Sequence, residues 1–219
     1  MKKNIIKLLL AVIIVAIISI GTTYALLVKN TEVKTNVFTV GDISIKLDEP
    51  DWEKLSDKDK TVYPGKTIPK DPQVTNTGDN EKYADLYVYI EVKIPRVSVK
   101  TYTGANNEII IPPPIVPENL FSFTANPGWD LIRSDISSDE KYSIEIYAYT
   151  ADIVRPGETT TPLFNEVTML KVLEGEIITG TKINMPINAY AIQSEYLNES
   201  GNNIQEKTKD AFSIYESQK

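Results

Sequence analysis

The sequence predicts an all-β sandwich or barrel, on three observations. Apolar and polar residues alternate with a period of two through residues 37–47, 83–94, 142–151 and 182–193, the pattern of half-buried strands. Pro64-Gly65, the polar run at 75–80 (TNTGDN) and Pro156-Gly157 punctuate the chain as turns do. About eight or more short strands result, a spacing that belongs to a sandwich or barrel.

Ahead of that body, Lys2, Lys3 and Lys7 precede an unbroken apolar run over 8–18, and Thr23-Tyr24-Ala25 closes the segment. A basic start, an apolar centre of about 7–15 residues and a small-x-small exit make a secretory signal peptide. Residues 1–25 are therefore expected to be a signal-peptide helix, with Thr23 and Ala25 at the exit and Leu26 as the first mature residue. The alternative is a retained anchor, although the apolar stretch is shorter than the ~20 residues of a spanning helix. Residues 26–36 (LLVKNTEVKTN) carry no strong period and read by themselves as an ordinary chain terminus.

In residues 37–47, Val37, Thr39, Ile43, Ile45 and Leu47 share one side of the strand and Asp42, Ser44 and Lys46 the other. Glu49-Pro50-Asp51 ends it, and 52–60 (WEKLSDKDK) reads as a charged loop. A second strand leads from the Pro64-Gly65 turn to the polar run at 75–80. In residues 83–94, Ala84, Leu86, Val88, Ile90, Val92 and Ile94 make a core face; Tyr83, Tyr87, Tyr89 and the charged residues make an aromatic outer face. Residues 101–117 contain three consecutive prolines, which remove ladder donors and favour an extended surface excursion. Trp129, Leu131 and Ile132 read as a strand carrying core residues. In 142–151 the expected inward set is Ile144, Ile146 and Ala148, with Tyr147 and Tyr149 outward. Residues 167–173 form another short strand, and 182–193 place Ile183, Met185, Ile187, Ala189 and Ala191 on one face. Ala211, Phe212 and Tyr215 lie at helical spacing in a short terminal helix over 206–216.

Composition narrows the function. A length of 219 residues, less about 25, fits one domain with a sizeable core. The net charge is −7, and residues 1–25 hold three lysines and no acid, so the chain from Leu26 onward carries −10. Such a surface repels phosphate backbones, so nucleic acid is not an expected partner. The absence of cysteine removes disulfides and thiolate chemistry, and the absence of histidine removes the usual general base and imidazole zinc sites. Carboxylates remain, but no pair stands out as the two acids of a glycosidase. Asp57, Asp59, Asp71, Asp79 and Asn80 are oxygen donors without EF-hand spacing, and turn formation accounts for them. Neither a GxGxxG nor a GxxxxGK[ST] loop occurs. No cofactor and no catalytic residue is expected. Tyr87, Tyr89, Tyr147 and Tyr149 are expected on outer strand faces, as cross-strand packing or as a contact surface.

The chain also carries family motifs. Gly21, Thr22, Tyr24 and Ala25 precede Thr35, Asn36, Phe38-Thr39-Val40-Gly41, Ile43, Ile45, Leu47, Glu49 and Pro50. Residues 62–72 (VYPGKTIPKDP) then lead to 74–79 (VTNTGD), and 156–160 (PGETT) to Leu163-Phe164. In these stretches the chain resembles the TasA/camelysin-like family of biofilm fibre proteins with a SipW-dependent signal peptide. The resemblance implies a jelly roll of two packed sheets, export to the cell surface or biofilm matrix, processing by a SipW-type signal peptidase and contact with cell-envelope or matrix components. It further implies self-association, with Leu26, Leu27, Val28 and Val33 supplying the apolar contacts of a donor strand that completes a neighbour's sheet. Camelysin-like relatives suggest a peptidase, which a chain without histidine or cysteine does not favour; a monomeric adhesion module using residues 101–117 and the tyrosine faces is the other alternative. N-terminal sequencing of the exported protein is expected to begin at Leu26, whereas an intact Met1 would establish a retained anchor.

Overall fold

The structure, a computed structural model, describes residues 43–78, 84–100, 115–172, 182–195 and 199–217. The expectations for residues 1–42, including Thr23, Ala25, Leu26, Leu27, Val28 and Val33, lie outside these, as do those for Asp79, Asn80, Tyr83 and 101–114.

The described chain is an all-β sandwich with one added helix. In order it forms β1 (Ile45–Asp48), a single helical turn α1 (Pro50–Glu53), β2 (Thr67–Pro69), β3 (Gln73–Asn76), β4 (Leu86–Lys100), β5 (Ile115–Asn119), β6 (Phe121–Ser122), β7 (Trp129–Ile136), β8 (Tyr142–Tyr149), β9 (Glu166–Met169), β10 (Ile187–Gln193) and α2 (Ile204–Ser217). The large sheet runs β10-β4-β8-β7, with β5 continuing along β4, and faces the sheet β2-β9-β6 and the ribbon β1-β3. Every strand pair among the described residues is antiparallel.

β4 is the spine. Leu86, Val88, Ile90, Val92 and Ile94 project from one face into the main core, where they meet Ile68, Val74, Phe121, Phe164, Val167 and Met169 from the smaller sheets and their loops. Val88, Ile90 and Val92 are fully buried, and complete burial of such a side chain contributes about 1.5–3 kcal/mol. The strand runs past the expected end at Ile94. Pro95 marks the place where β4 exchanges β8 for β5, and Leu120 N donates to Pro95 O at 2.8 Å. A proline returns no N–H to Leu120, whose carbonyl accepts instead from Leu170 N at 2.9 Å. The chain thereby passes from β5 in the large sheet to β6 in the small one without orphaning a buried group.

The other face of β4 is also covered. Tyr87 and Tyr89 pack with Ile146, Ala148, Ala211 and Phe212 in a second cluster beneath α2. The Tyr89 and Phe212 rings lie 5.0 Å apart, and the Tyr89 hydroxyl donates to Thr208 O at 2.7 Å. The expected terminal helix is present and begins earlier than residue 206: Asn203 Oδ1 accepts from Glu206 N at 2.9 Å, capping the first turn, and Glu206 Oε2 reaches back to accept from Asn202 N at 2.8 Å.

Three expectations are corrected. Tyr87 and Tyr89 do face outward from the sandwich, but α2 buries them to 3% and 0% exposure. The facing of β8 is reversed: Tyr147 and Tyr149 pack on the main core, and Ile146 and Ala148 point to α2, because Tyr147 stands opposite Ile90 and Ala148 opposite Tyr89. In β7, Trp129 is core, but a bulge between Leu131 and Arg133 breaks the period of two. Alternation from Trp129 already turns Ile132 to the cluster under α2, Leu131 is 49% exposed, and the bulge keeps Arg133 on the α2 side opposite Ile146.

Burial pushes the hydroxyl pKa values of Tyr89 and Tyr147 upward and takes that of Tyr190 to about 12, with Glu145 adding to the effect at Tyr147 and Glu91 at Tyr190. A raised folded-state pKa means the neutral phenol favours the fold. This contribution is complete below the unfolded value of 10.0 and is lost as pH rises through the folded values. Urea midpoints should therefore hold level to roughly pH 9 and fall beyond pH 10, and Tyr89→Phe or Tyr147→Phe should flatten the fall.

Candidate functional site: a motif corner, a cleft and an open edge

The motif stretches converge on one corner. β1 pairs with β3 in register from Ile45 opposite Asn76 to Asp48 opposite Gln73. Lys70, buried to 7% exposure, places Nζ 2.8 Å from both carboxylate oxygens of Glu49, aligned for a hydrogen bond to Oε2, and 4.8 Å from the Trp52 ring centre. Asp71 Oδ1 accepts from the backbone N–H groups of Asp51 (2.9 Å) and Trp52 (3.3 Å), capping α1. Residues 52–60, expected as a charged loop, are mostly turns with exposed side chains, and Trp52 anchors their start against the core.

The segment 156–160 closes the same corner. Val74 N donates to Thr160 Oγ1 at 3.0 Å, and the Thr75 and Thr159 hydroxyls lie 2.8 Å apart. Asn76 is fully buried; its Nδ2 donates to Ala84 O and Val154 O, both at 3.0 Å, and its Oδ1 accepts from Gly78 N at 3.1 Å. Gly157, at φ +82°, carries the turn that brings its N–H to Asn76 O at 2.8 Å. Glu49, Asp71 and Asn76 are therefore committed to internal bonds, and the corner ties β1, α1, β3 and the 156–160 turn together. Asp57 and Asp59 sit in local turns with Thr61 and Ser56, and among the described residues no three acidic side chains gather as a metal site.

A cleft of about 420 Å³ lies between α2 and the outer face of the large sheet, lined among others by Glu91, Arg133, Tyr190, Phe212, Tyr215 and Glu216. Its charges serve one another. Arg133 bonds Asp135 and Glu216, while Glu91 accepts from Asn188 Nδ2 at 2.9 Å and lies 3.4 Å from Lys93 Nζ.

The least satisfied feature is the backbone edge of β10. Its sequence, INAYAIQ, has no charge and no proline, and it pairs with β4 over seven consecutive residues without a register shift. β1 approaches β10, yet β10 has no second strand partner among the described residues. Ser194 N donates to Asp85 O (2.8 Å) and Lys93 N to Pro186 O (2.9 Å). Those bonds put the even-numbered residues in the hydrogen-bonded pairs, so the N–H and C=O groups of Ile187, Ala189, Ala191 and Gln193 point away from β4. The core-facing side chains of Ile183, Met185, Ile187, Ala189 and Ala191 remain only partly buried against the main core. Backbone groups and apolar surface are thus open on one line, and a pairing strand would satisfy both at once.

The described residues define a β-sandwich whose β10 edge none of them pairs. Compared with family models, curated proteins and solved structures, the chain matches none. The segment was legible as an alternating strand, but its lack of a second neighbour among the described residues follows only from strand order. At the motif corner, Asn76→Ala should cost about 2–4 kcal/mol by stranding buried carbonyls, measured as a shift in urea midpoint. Thr75→Ala, which removes only an exposed hydroxyl pair, should cost under about 1 kcal/mol.

Proposed function

We propose that this chain is an exported, non-enzymatic structural subunit of the cell surface or biofilm matrix, and that copies assemble by strand donation. After cleavage between Ala25 and Leu26, residues 26–36 of one copy pair with the β10 edge of the next. The observation that carries this reading is the β10 edge, unpaired by any second described strand, uncharged and flanked by half-covered core residues. Length supports it as well. Eleven residues extend over about 36 Å and seven over about 23 Å, so residues 26–36 suffice for the edge. Leu26 and Val28 share one strand face, and burying each against the core would contribute about 1.5–3 kcal/mol beyond the ladder bonds, offset in part by the ordering of the segment.

The rival adhesion reading loses its aromatic surface, since Tyr87 and Tyr89 lie beneath α2, Tyr147 is buried in the main core and Tyr149 packs against it. Before cleavage, residues 26–36 would be held at the membrane by the signal peptide, so processing would license assembly.

The test is Ala191→Pro. It removes a single outward-pointing N–H, leaves the β4 ladder intact and places proline where an edge strand tolerates it. The mature chain should form large assemblies by sizing and electron microscopy. Both Ala191→Pro and deletion of residues 26–36 should leave monomers with unaltered far-UV circular dichroism. Assemblies that persist in both would end the proposal.

A further inference from the structure

The cleft beside α2 takes no part in the assembly proposed above. Ile144 and Ile146 of the large sheet floor it, and Phe212 and Tyr215 of α2 form one wall. We propose that it binds a neutral carbohydrate, a short stretch of pyranose rings laid against Tyr215 with hydroxyls met by Glu91, Arg133 and Glu216.

Its volume of about 420 Å³ falls within the roughly 300–1,000 Å³ of small-molecule sites. Charge then selects among ligand classes. The carboxylates of Glu91, Asp135 and Glu216 line the cleft, and they repel an anion. A cation finds its places taken. Arg133 bonds both Asp135 and Glu216, and Lys93 Nζ lies 3.4 Å from Glu91. Among the described residues no three acidic side chains gather to hold a metal ion. A purely apolar ligand would strip these charged groups of water and return no hydrogen bonds.

The paired charges retain hydrogen-bonding capacity. A carboxylate has roughly four lone-pair sites, and Glu91 accepts from Asn188 Nδ2 at 2.9 Å and from the Tyr190 hydroxyl. These bonds orient the acid without exhausting it. The same holds for Glu216, whose guanidinium partner fixes its place. A hydroxyl both donates and accepts, so a polyol can donate to the two carboxylates and accept from Arg133.

The apolar wall supplies the other half of the match. A pyranose ring presents a face of C–H groups, which suits an aromatic ring. Tyr215 is half-buried and its ring lies 6.2 Å from that of Phe212, which in turn lies 5.0 Å from Tyr89. The platform is thus tied to the cluster under α2, and little side-chain ordering remains to oppose binding.

Saturation-transfer NMR on the mature chain tests the proposal. Maltotetraose, cellotetraose and tetra-N-acetylchitotetraose serve as neutral probes, and tetragalacturonate and spermine as charged ones. At least one neutral probe should bind, and neither charged probe should. Tyr215→Ala and the isosteric Glu91→Gln should each weaken that binding about tenfold or more, with far-UV circular dichroism unaltered. Silence from every neutral probe, equal or tighter binding of a charged one, or neutral binding that either variant leaves intact would overturn the assignment. Strand donation would stand in each of those cases.

Discussion

The structure depends on β4 being buried on both faces. Its even-numbered residues from Leu86 to Ile94 close the sandwich, and Tyr87 and Tyr89 seat the terminal helix. A strand covered on one side only would need polar residues at alternate positions. Here tyrosine takes that place: a ring for the apolar interface, and at Tyr89 a hydroxyl that reaches the Thr208 carbonyl. Moving β4 by one residue would exchange the two faces and dissolve both clusters together, which is why its register with β8 and β10 is continuous.

How much could be read in advance follows from what each signal encodes. Period-two alternation located β1, β4, β8 and β10 and the inward set of β10, because these depend on the strand alone. The facing of β8 did not follow. Ile144, Ile146 and Ala148 look like a core stripe, but Ile146 and Ala148 enter the core under α2 and Ile144 lines the cleft beside it. Hydrophobicity marks burial without saying which layer does the burying. In β7 a single extra residue at Ile132 reverses the parity downstream, and nothing in the composition of WDLIRSDI announces it. The start of α2 was legible, since Asn203 and Glu206 have the spacing of a capping box. The expected helix began at the acid and overlooked its partner.

The motif corner and the open edge stand on different footings. The corner is dense with recognisable residues, and each is spent on holding the corner itself: Glu49 on Lys70, Asp71 on α1, Asn76 on two carbonyls. The edge has almost no distinctive residue, because backbone groups make it. Sequence motifs point to where side chains are irreplaceable, and an edge is instead a property of strand order. A recognition surface built from main-chain groups is accordingly hard to see in a sequence and easy to see in a sheet diagram.

The small sheet has a consequence for the order in which this chain folds. Thr67 and Thr168, whose hydroxyls meet across β2 and β9, are 101 residues apart, and no disulfide holds the intervening chain. Closing so long a loop must precede any reward from the contacts it makes. The main core therefore cannot complete itself until nearly the whole chain is available, and α2 docks on a sheet that needs β10, close to the C-terminus. A polypeptide with this wiring stays open while it is being made, a state compatible with threading through a narrow passage before it closes.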